Sequence, residues 1–173
     1  MATAPDLEPL YRAVHLALEA EQRGNLPIGT VITLAGKSIA EAGNSVLKPR
    51  YHPGRHAEME AIRRVPVELW PRSREMICYT TLEPCLMCFG ALLLHGVGQV
   101  VFGARDEEGG AGCVLSHLPE YYRDGAGVPV WIGPVLPELC DELYRRARAR
   151  FDNLPCGKSR NLTKTSEKSP SFR

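Results

Sequence analysis

The sequence has 173 residues, of which 44% are hydrophobic and 24% charged, so it fits one globular domain with a substantial core. Its composition argues against a membrane protein, because no apolar run is long enough to cross a bilayer. Residues 1–6 have neither the basic nor the apolar region of a secretion signal, so we expect a cytoplasmic location.

The amino-terminal quarter of the chain predicts a helix followed by a β-hairpin. Apolar residues recur at helical intervals from Leu7 onward, and the pattern stops at Gly24, a residue type that commonly ends helices. Hydrophobic and β-branched residues then predict a strand at 28–35, a tight turn, and a second strand at 38–43. We expect the helix to pack one face against the sheet that contains this hairpin.

Strands and helices alternate through the rest of the chain. The elements predicted after the hairpin are, in order, a loop at 45–54, a helix from His56 to about residue 65, a strand at 76–81, a helix at 85–95, a strand at 99–104, an irregular segment at 105–127 with a short helix at 115–122, a strand at 128–132 and a helix at 136–152. The short return after the helix at 85–95 predicts that the strands on either side of it are parallel. We therefore expect a site at the carboxyl ends of these strands.

The carboxyl-terminal end is basic. Residues 145–173 contain nine Lys and Arg and only two acidic residues, whereas the whole chain has a net charge of +1. The Ser, Thr, Lys and Gly content of the last segment predicts disorder. Two interpretations carry equal weight: the basic residues contact phosphates, or they form a solvated helix end and tail.

His56, Cys85 and Cys88 have the residue types and spacing of a catalytic zinc site. Zinc prefers a tetrahedron of nitrogen and sulfur ligands, and a catalytic site takes three from the protein and leaves one position for water. Cys85 and Cys88 are three residues apart, which places both thiols on one face of a helix. Pro84 suits the first position of that helix, whose N-terminus would then face the metal. We predict one Zn²⁺ per chain, held by these three residues.

Glu58 is the candidate proton carrier beside this site. Zinc can lower the pKa of a bound water to about 7, but another group must take the proton and return it to a leaving group. His56 and Glu58 are two residues apart, so they converge only at the very start of a helix. The residues alone leave two alternatives open: Cys85 and Cys88 form a redox dithiol, or zinc serves folding only.

Two motifs together resemble those of a known superfamily. His-Ala-Glu at residues 56–58, followed by Pro-Cys-Leu-Met-Cys at residues 84–88, is similar to the signature of zinc-dependent cytidine and nucleobase deaminases. The stretches at 81–88 and 100–106 most resemble tRNA adenosine deaminases and guanine deaminases. The resemblance implies a three-layer α/β/α cytidine-deaminase-like fold, with helices on both faces of a mixed five-stranded sheet. We place the deaminase domain at residues 1–152 and a basic, disordered tail at residues 153–173.

The same resemblance implies a function and a set of substrate contacts. It implies a hydrolytic deaminase in which zinc-activated water attacks the base and Glu58 moves the proton to the departing ammonia. Adenosine in tRNA is the leading substrate, and the alternatives are a free purine base, a nucleoside or a related amino-heterocycle. A different alternative is a catalytically silent RNA-binding subunit with structural zinc. The substrate-binding residues that the resemblance implies are Ile28, Asn44, Ala57, Pro84 and Asp106.

In one place the sequence departs from the family pattern. The tRNA adenosine and guanine deaminases usually have Asp-Pro-Thr-Ala before His-Ala-Glu, whereas this chain has His-Pro-Gly-Arg at residues 52–55. We expect the guanidinium of Arg55 to contact a phosphate or carboxylate at the mouth of the pocket.

The helix at 85–95 also predicts an oligomeric state. It is apolar nearly all round, so it must be buried in the core or against a second subunit. Because relatives of this kind pair through the same region, we expect a homodimer.

Overall fold

In the computed structural model, which describes residues 6–124 and 127–153, a mixed five-stranded sheet lies between two layers of helices. The strands are β1 (Gly29–Leu34), β2 (Lys37–Gly43), β3 (Met76–Leu82), β4 (Gln99–Ala104) and β5 (Val130–Ile132). Their order in the sheet is β2-β1-β3-β4-β5. β1 is antiparallel to both of its neighbours, whereas β3, β4 and β5 are parallel. The parallel pairing of β3 with β4 confirms the prediction from the short return after the apolar helix.

Five α-helices and two 3₁₀ segments connect and cover the described strands. They are α1 (Glu8–Gln22), α2 (Ala57–Ile62), a 3₁₀ segment at Val67–Glu75, α3 (Leu86–Leu94), a second 3₁₀ segment at Ala111–His117, α4 (Glu120–Asp124) and α5 (Pro137–Asp152). Among the described residues, no helix combines the length and the apolar character needed to cross a bilayer. The tail predicted beyond residue 153 lies outside the described residues.

The alternation of side chains along the strands divides the core into two layers. Even-numbered positions such as Ile32 and Cys78 pack with α2 and α3 on one face of the sheet. Odd-numbered positions such as Val31, Tyr79 and Val101 pack with α1 and α5 on the other face. The three-layer α/β/α fold with helices on both faces is therefore confirmed.

Two of the predicted helices differ from those in the structure, and a proline explains each difference. The single helix predicted at 115–122 is instead a 3₁₀ segment followed by α4, because Pro119 holds the preceding Leu118 in an extended conformation. α2 ends at Ile62 rather than near residue 65, and Pro66 follows shortly after.

Glu60 carries the buried carboxylate that fixes the start of α2. Its side chain is 5% exposed, and Arg55 donates to both of its oxygens at 3.1 Å. Arg63 adds a third hydrogen bond at 3.0 Å. Such charge-assisted hydrogen bonds replace the hydrogen bonds to water that a carboxylate loses when it is buried. Arg55 therefore contacts a carboxylate of its own chain. The contact with a phosphate or carboxylate at the mouth of the pocket stays a prediction.

Stability should depend on Glu60 in a pH-dependent way. Hydrogen bonds from Arg55, opposed by burial and supported by Arg63, lower the pKa of Glu60 from 4.5 to about 2. The folded state thus binds this proton more weakly than the unfolded chain, so the stabilisation is complete above about pH 4.5 and lost as the pH falls toward 2. We expect Glu60→Gln to lower the free energy of unfolding at pH 7 by about 1–3 kcal/mol.

Urea unfolding of both proteins at pH values from about 3 to about 7, a range that brackets the ordinary glutamate pKa of 4.5, measures this difference. The difference in the free energy of unfolding between wild type and variant should become smaller as the pH falls. Glu75→Gln is the matched control. Glu75 forms an exposed ion pair with Arg72, so its replacement should change the free energy of unfolding little. Equal losses in the two variants would contradict the assigned role of Glu60.

Candidate active site

Two helix N-termini converge at the carboxyl end of β3. His56 is the residue that caps the start of α2, and Cys85 caps the start of α3, each with an extended backbone. Cys88 lies in the first turn of α3. The prediction that Pro84 begins this helix is wrong, because its carbonyl accepts from Ala111 N at 2.9 Å and the chain stays extended through Cys85. The helix N-terminus nevertheless faces the site, as predicted.

The three candidate ligand atoms form a triangle of the size that zinc requires. His56 Nδ1 is 3.6 Å from Cys85 Sγ and 3.5 Å from Cys88 Sγ, and the two sulfurs are 3.7 Å apart. Tetrahedral bonds of about 2.3 Å to sulfur and about 2.05 Å to nitrogen give separations of about 3.6 Å for N to S and about 3.8 Å for S to S. Within the described part of the chain, this is the one metal-binding group found among His, Cys, Asp and Glu side chains.

The local electrostatics favour a thiolate at Cys85. The pKa of Cys85 is lowered to about 4, first by its hydrogen bond with Cys88 and then by His56, while burial opposes the shift. The N-terminus of α3 adds a favourable partial positive charge. At neutral pH Cys85 is therefore a ready ligand for a cation.

Glu58 is buried beside the ligand triangle. Its side chain is 4% exposed, and its Oε2 lies 3.4 Å from Cys88 Sγ. Its Oε1 accepts a hydrogen bond from Thr80 Oγ1 at 3.2 Å. Burial raises the pKa of Glu58, although His56 opposes the shift. A carboxylate with raised proton affinity suits a group that must both accept and release a proton.

Thr80 is a functional residue that the sequence reasoning missed. It donates to Glu58, and Thr30 donates in turn to Thr80 Oγ1 at 3.1 Å, so a buried pair of hydroxyls fixes the carboxylate. Thr80 has the same parity along β3 as Met76 and Cys78, whose side chains face α2 and α3. A threonine at a core-facing strand position beside a predicted active site is the signal that could have identified it.

The predicted substrate residues Ile28 and Asn44 lie together at this end of the sheet. Gly29 pairs with Gly43, and β1 runs antiparallel to β3, so the segments just outside that pair flank the carboxyl end of β3. Asn44 N donates to the Ile28 carbonyl at 2.9 Å. The fully buried Asn44 side chain accepts from Val46 N at 3.0 Å, and its Nδ2 has no partner among the described residues.

The other predicted substrate residues have structural contacts of their own. Ala57 is fully buried in the first turn of α2, and Pro84 is buried just before Cys85. Asp106 is half-buried, and its Oδ1 accepts from Tyr144 Oη at 2.8 Å and from two backbone N–H groups of its own turn. The loop that follows Asp106 reaches the site, since Gly110 forms a β-bridge with Cys85.

Comparison with known proteins agrees with this geometry. A model of the cytidine and deoxycytidylate deaminase zinc-binding region matches residues 5–104. The tRNA-specific adenosine deaminase of Bacillus subtilis strain 168 is 37% identical over 155 residues, which cover 84% of this chain and 94% of that protein.

Solved structures give the same result. One from work on A-to-I editing by tRNA:A34 deaminases at the wobble position of tRNA has a TM-score of 0.66 and 27% identity, covering 80% of this chain and 99% of that one. Guanine deaminase from Bacillus subtilis has a TM-score of 0.53 and 27% identity, with coverage of 83% and 94%. Since the matched segment also contains His56, Glu58 and the Cys85–Cys88 pair, the chain belongs to the zinc-binding cytidine and deoxycytidylate deaminase family.

Proposed function

We propose that this protein is a zinc-dependent hydrolase that converts adenosine in tRNA to inosine. The observation that carries the proposal is a zinc-sized triangle of His56, Cys85 and Cys88 with the buried carboxylate of Glu58 beside it. Similarity to a tRNA-specific adenosine deaminase over 94% of that protein supports tRNA as the substrate. We place the activity in residues 1–152 and in the cytoplasm, where a reducing environment keeps the two cysteines available as ligands.

Each protein group has a defined task in this reaction. When bound, zinc supplies a Lewis acid that can lower the pKa of a water molecule to about 7. Glu58 accepts one proton of the attacking water and passes it to the ring nitrogen, where it stays in the product, and then carries the second proton of that water to the departing ammonia. Because Thr80 donates to Oε1, the carboxylate keeps Oε2 toward the ligand triangle. Burial raises the proton affinity of Glu58 and so supports its role as both acid and base.

Asn44 is the proposed contact for the edge of the base. Its Oδ1 is occupied by Val46 N, while its buried Nδ2 has no partner among the described residues. A buried amide without a hydrogen bond costs roughly 1–3 kcal/mol, so an acceptor on a bound purine would relieve that cost. Ile28, whose carbonyl holds Asn44 N, and Ala57 are the proposed apolar neighbours of the base.

A basic groove supports a polyanionic substrate. It has a volume of about 690 Å³ and is lined by Lys48, Arg146 and Arg150, between the loop that follows Asn44 and the last turns of α5. Arg146 is paired with Glu21, but Lys48 and Arg150 have no carboxylate partner in residues 6–124 and 127–153. Cations of this kind contact phosphates of nucleic acids.

Deamination of a free purine is the second candidate. Its support is the structural similarity to guanine deaminase at 27% identity. A free base has no phosphates, so the groove at Lys48 would play no part in binding it.

We also propose a homodimer formed through α3. Leu86, Met87 and Leu94 are 59%, 40% and 64% exposed. Gly90 is exposed on the same helix, and a methyl group there would meet no atom within 4 Å. An apolar surface of this kind beside an active site is typical of a subunit interface.

Glu58→Gln is expected to abolish catalysis and to keep the metal. The amide has nearly the same shape but cannot accept and return the proton, so kcat should fall by about 10⁴-fold or more. Ammonia release in single-turnover assays and zinc content per chain measure the two effects. Glu41→Gln on β2 is the control and should leave both unchanged. Loss of substrate affinity with an unchanged chemical rate would show that Glu58 is a binding residue.

Lys48→Glu is expected to separate the two candidate substrates. With tRNA as substrate, affinity should fall and the slope of log K against log salt should decrease by about one. The control is Lys37→Glu, because Lys37 lies at the opposite end of β2 from Gly43 and should have no effect. Ammonia release from guanine or adenine alone, with no dependence on Lys48, would favour the free-base reaction.

Leu94→Glu is expected to convert the dimer into a monomer. A charge at this exposed apolar position would be buried without a partner in the interface. Light scattering after size exclusion at micromolar concentration measures the mass. Val67→Glu, at a position that is 80% exposed on the first 3₁₀ segment, is the control and should stay dimeric. A monomeric wild type would refute this interface.

A further inference from the structure

Glu83 is a buried carboxylate that the chemistry described above does not use. Its side chain is 6% exposed, and it directly precedes Pro84 and the metal ligand Cys85. Its Oε2 accepts from Asp106 N at 3.2 Å, and its Oε1 accepts from Gly112 N at 3.0 Å. No Lys or Arg forms an ion pair with it within the described ranges, so N–H groups supply its hydrogen bonds.

The third donor to Glu83 comes from the far edge of the sheet. Trp131 Nε1 on β5 donates to Oε1 at 3.3 Å. The indole ring is held by edge contact with Phe89 of α3, at a centroid distance of 5.5 Å, and by Phe102 of β4 at 5.6 Å. The carboxylate therefore joins the loop at residues 106–112 to rigid core elements.

The loop has two glycines where it meets this carboxylate. A methyl group at Gly110 would lie 2.5 Å from Glu83 Oε2, and one at Gly112 would lie 2.5 Å from Oε1. Both distances are shorter than any ordinary contact, so only residues without a side chain let the backbone approach the carboxylate this closely.

The same loop lies against the active site. Ala111 N donates to the Pro84 carbonyl at 2.9 Å, and Gly110 forms a β-bridge with Cys85. The loop begins at Asp106, the residue implied by family resemblance to bind substrate, and it ends at the Glu83 contact of Gly112. Glu83 thus holds both ends of a segment whose middle touches a zinc ligand.

We propose that Glu83 is a positioning residue that fixes the loop at 106–112 as one wall of the substrate site. The proposal rests on the deaminase function above. Glu83 contacts none of the reacting groups, so it acts through the backbone of the loop. Replacing one oxygen by an amide NH₂ puts a donor opposite a donor and leaves an N–H buried without a partner. A loop that is free to move must be ordered when substrate binds, so KM should change more than kcat.

Glu83→Gln in the full-length zinc protein tests this assignment. Amide hydrogen exchange at Asp106 and Gly112, measured without substrate, should accelerate by about tenfold or more, while β3 and β4 exchange as in wild type. Zinc content should stay at one per chain. For the preferred substrate, KM should rise by about tenfold and kcat should change far less. Trp131→Phe removes the indole donor together with part of the ring that packs on Phe89 and Phe102, and it keeps both backbone donors, so it should produce a smaller effect on the loop in the same direction. Glu41→Gln is the control.

Three outcomes would overturn the proposal. Unchanged exchange at residues 106–112 would show that Glu83 does not fix the loop. Faster exchange throughout β3 and β4, with loss of zinc in both Glu83→Gln and Trp131→Phe, would make Glu83 a general stability residue. Faster exchange at residues 106–112 with an unchanged KM would show that the loop does not form a wall of the substrate site. If the wild type deaminated none of the substrates, the proposed function would be contradicted. The hydrogen-exchange comparison at residues 106–112 would still decide whether Glu83 fixes the loop, because it is measured without substrate.

Discussion

The structure depends on bringing three ligand atoms from two distant segments within 3.7 Å of one another. His56 and Cys85 are 29 positions apart in the chain, and the fold joins them by starting two helices at the same edge of the sheet. Because α2 starts at His56, Glu58 also faces the ligand atoms, although side chains two residues apart within a helix normally point in different directions. β3 and β4 are parallel, so the chain must cross back over the sheet between them. α3 makes this crossing and therefore begins near the carboxyl end of β3.

Three buried glutamates near this edge show how environment sets the role of a carboxylate. Glu60 is hydrogen-bonded by arginines, which hold its pKa low and make it a stable anion. Glu83 is hydrogen-bonded by two backbone amides and an indole, which anchor a loop. Glu58 has no arginine partner within the described part of the chain and accepts a hydrogen bond from the hydroxyl of Thr80. Burial is the largest influence on this carboxylate, and it raises the pKa of Glu58. The carboxylate with the least compensation for burial is the one placed to exchange protons.

Local sequence signals predicted most of the elements and the three residues that cluster as candidate metal ligands. Strand alternation, helical periodicity and the spacing of Cys85 and Cys88 are properties of neighbouring residues, and the structure confirms the sheet, its parallel pair and the ligand cluster. The contacts of Thr80 and Glu83 were not predictable in this way. They join residues 22 to 50 positions apart, and their partners become clear only when the strands are in register. Arg55 illustrates the same limit, because sequence places it beside His56 but does not indicate which carboxylate it meets.

The departure from the family pattern at residues 52–55 therefore acts on the scaffold of the site. Arg55 uses its side chain to hold Glu60 of α2 and its carbonyl to accept from Ser45 N at 3.0 Å. Ser45 follows Asn44 directly, so the same residue links the start of the zinc-ligand helix to the proposed base contact. His52 closes the turn by accepting from Gly54 N at 3.1 Å. Because these contacts link the two segments, residues 52–55 set the relative placement of Asn44 and His56.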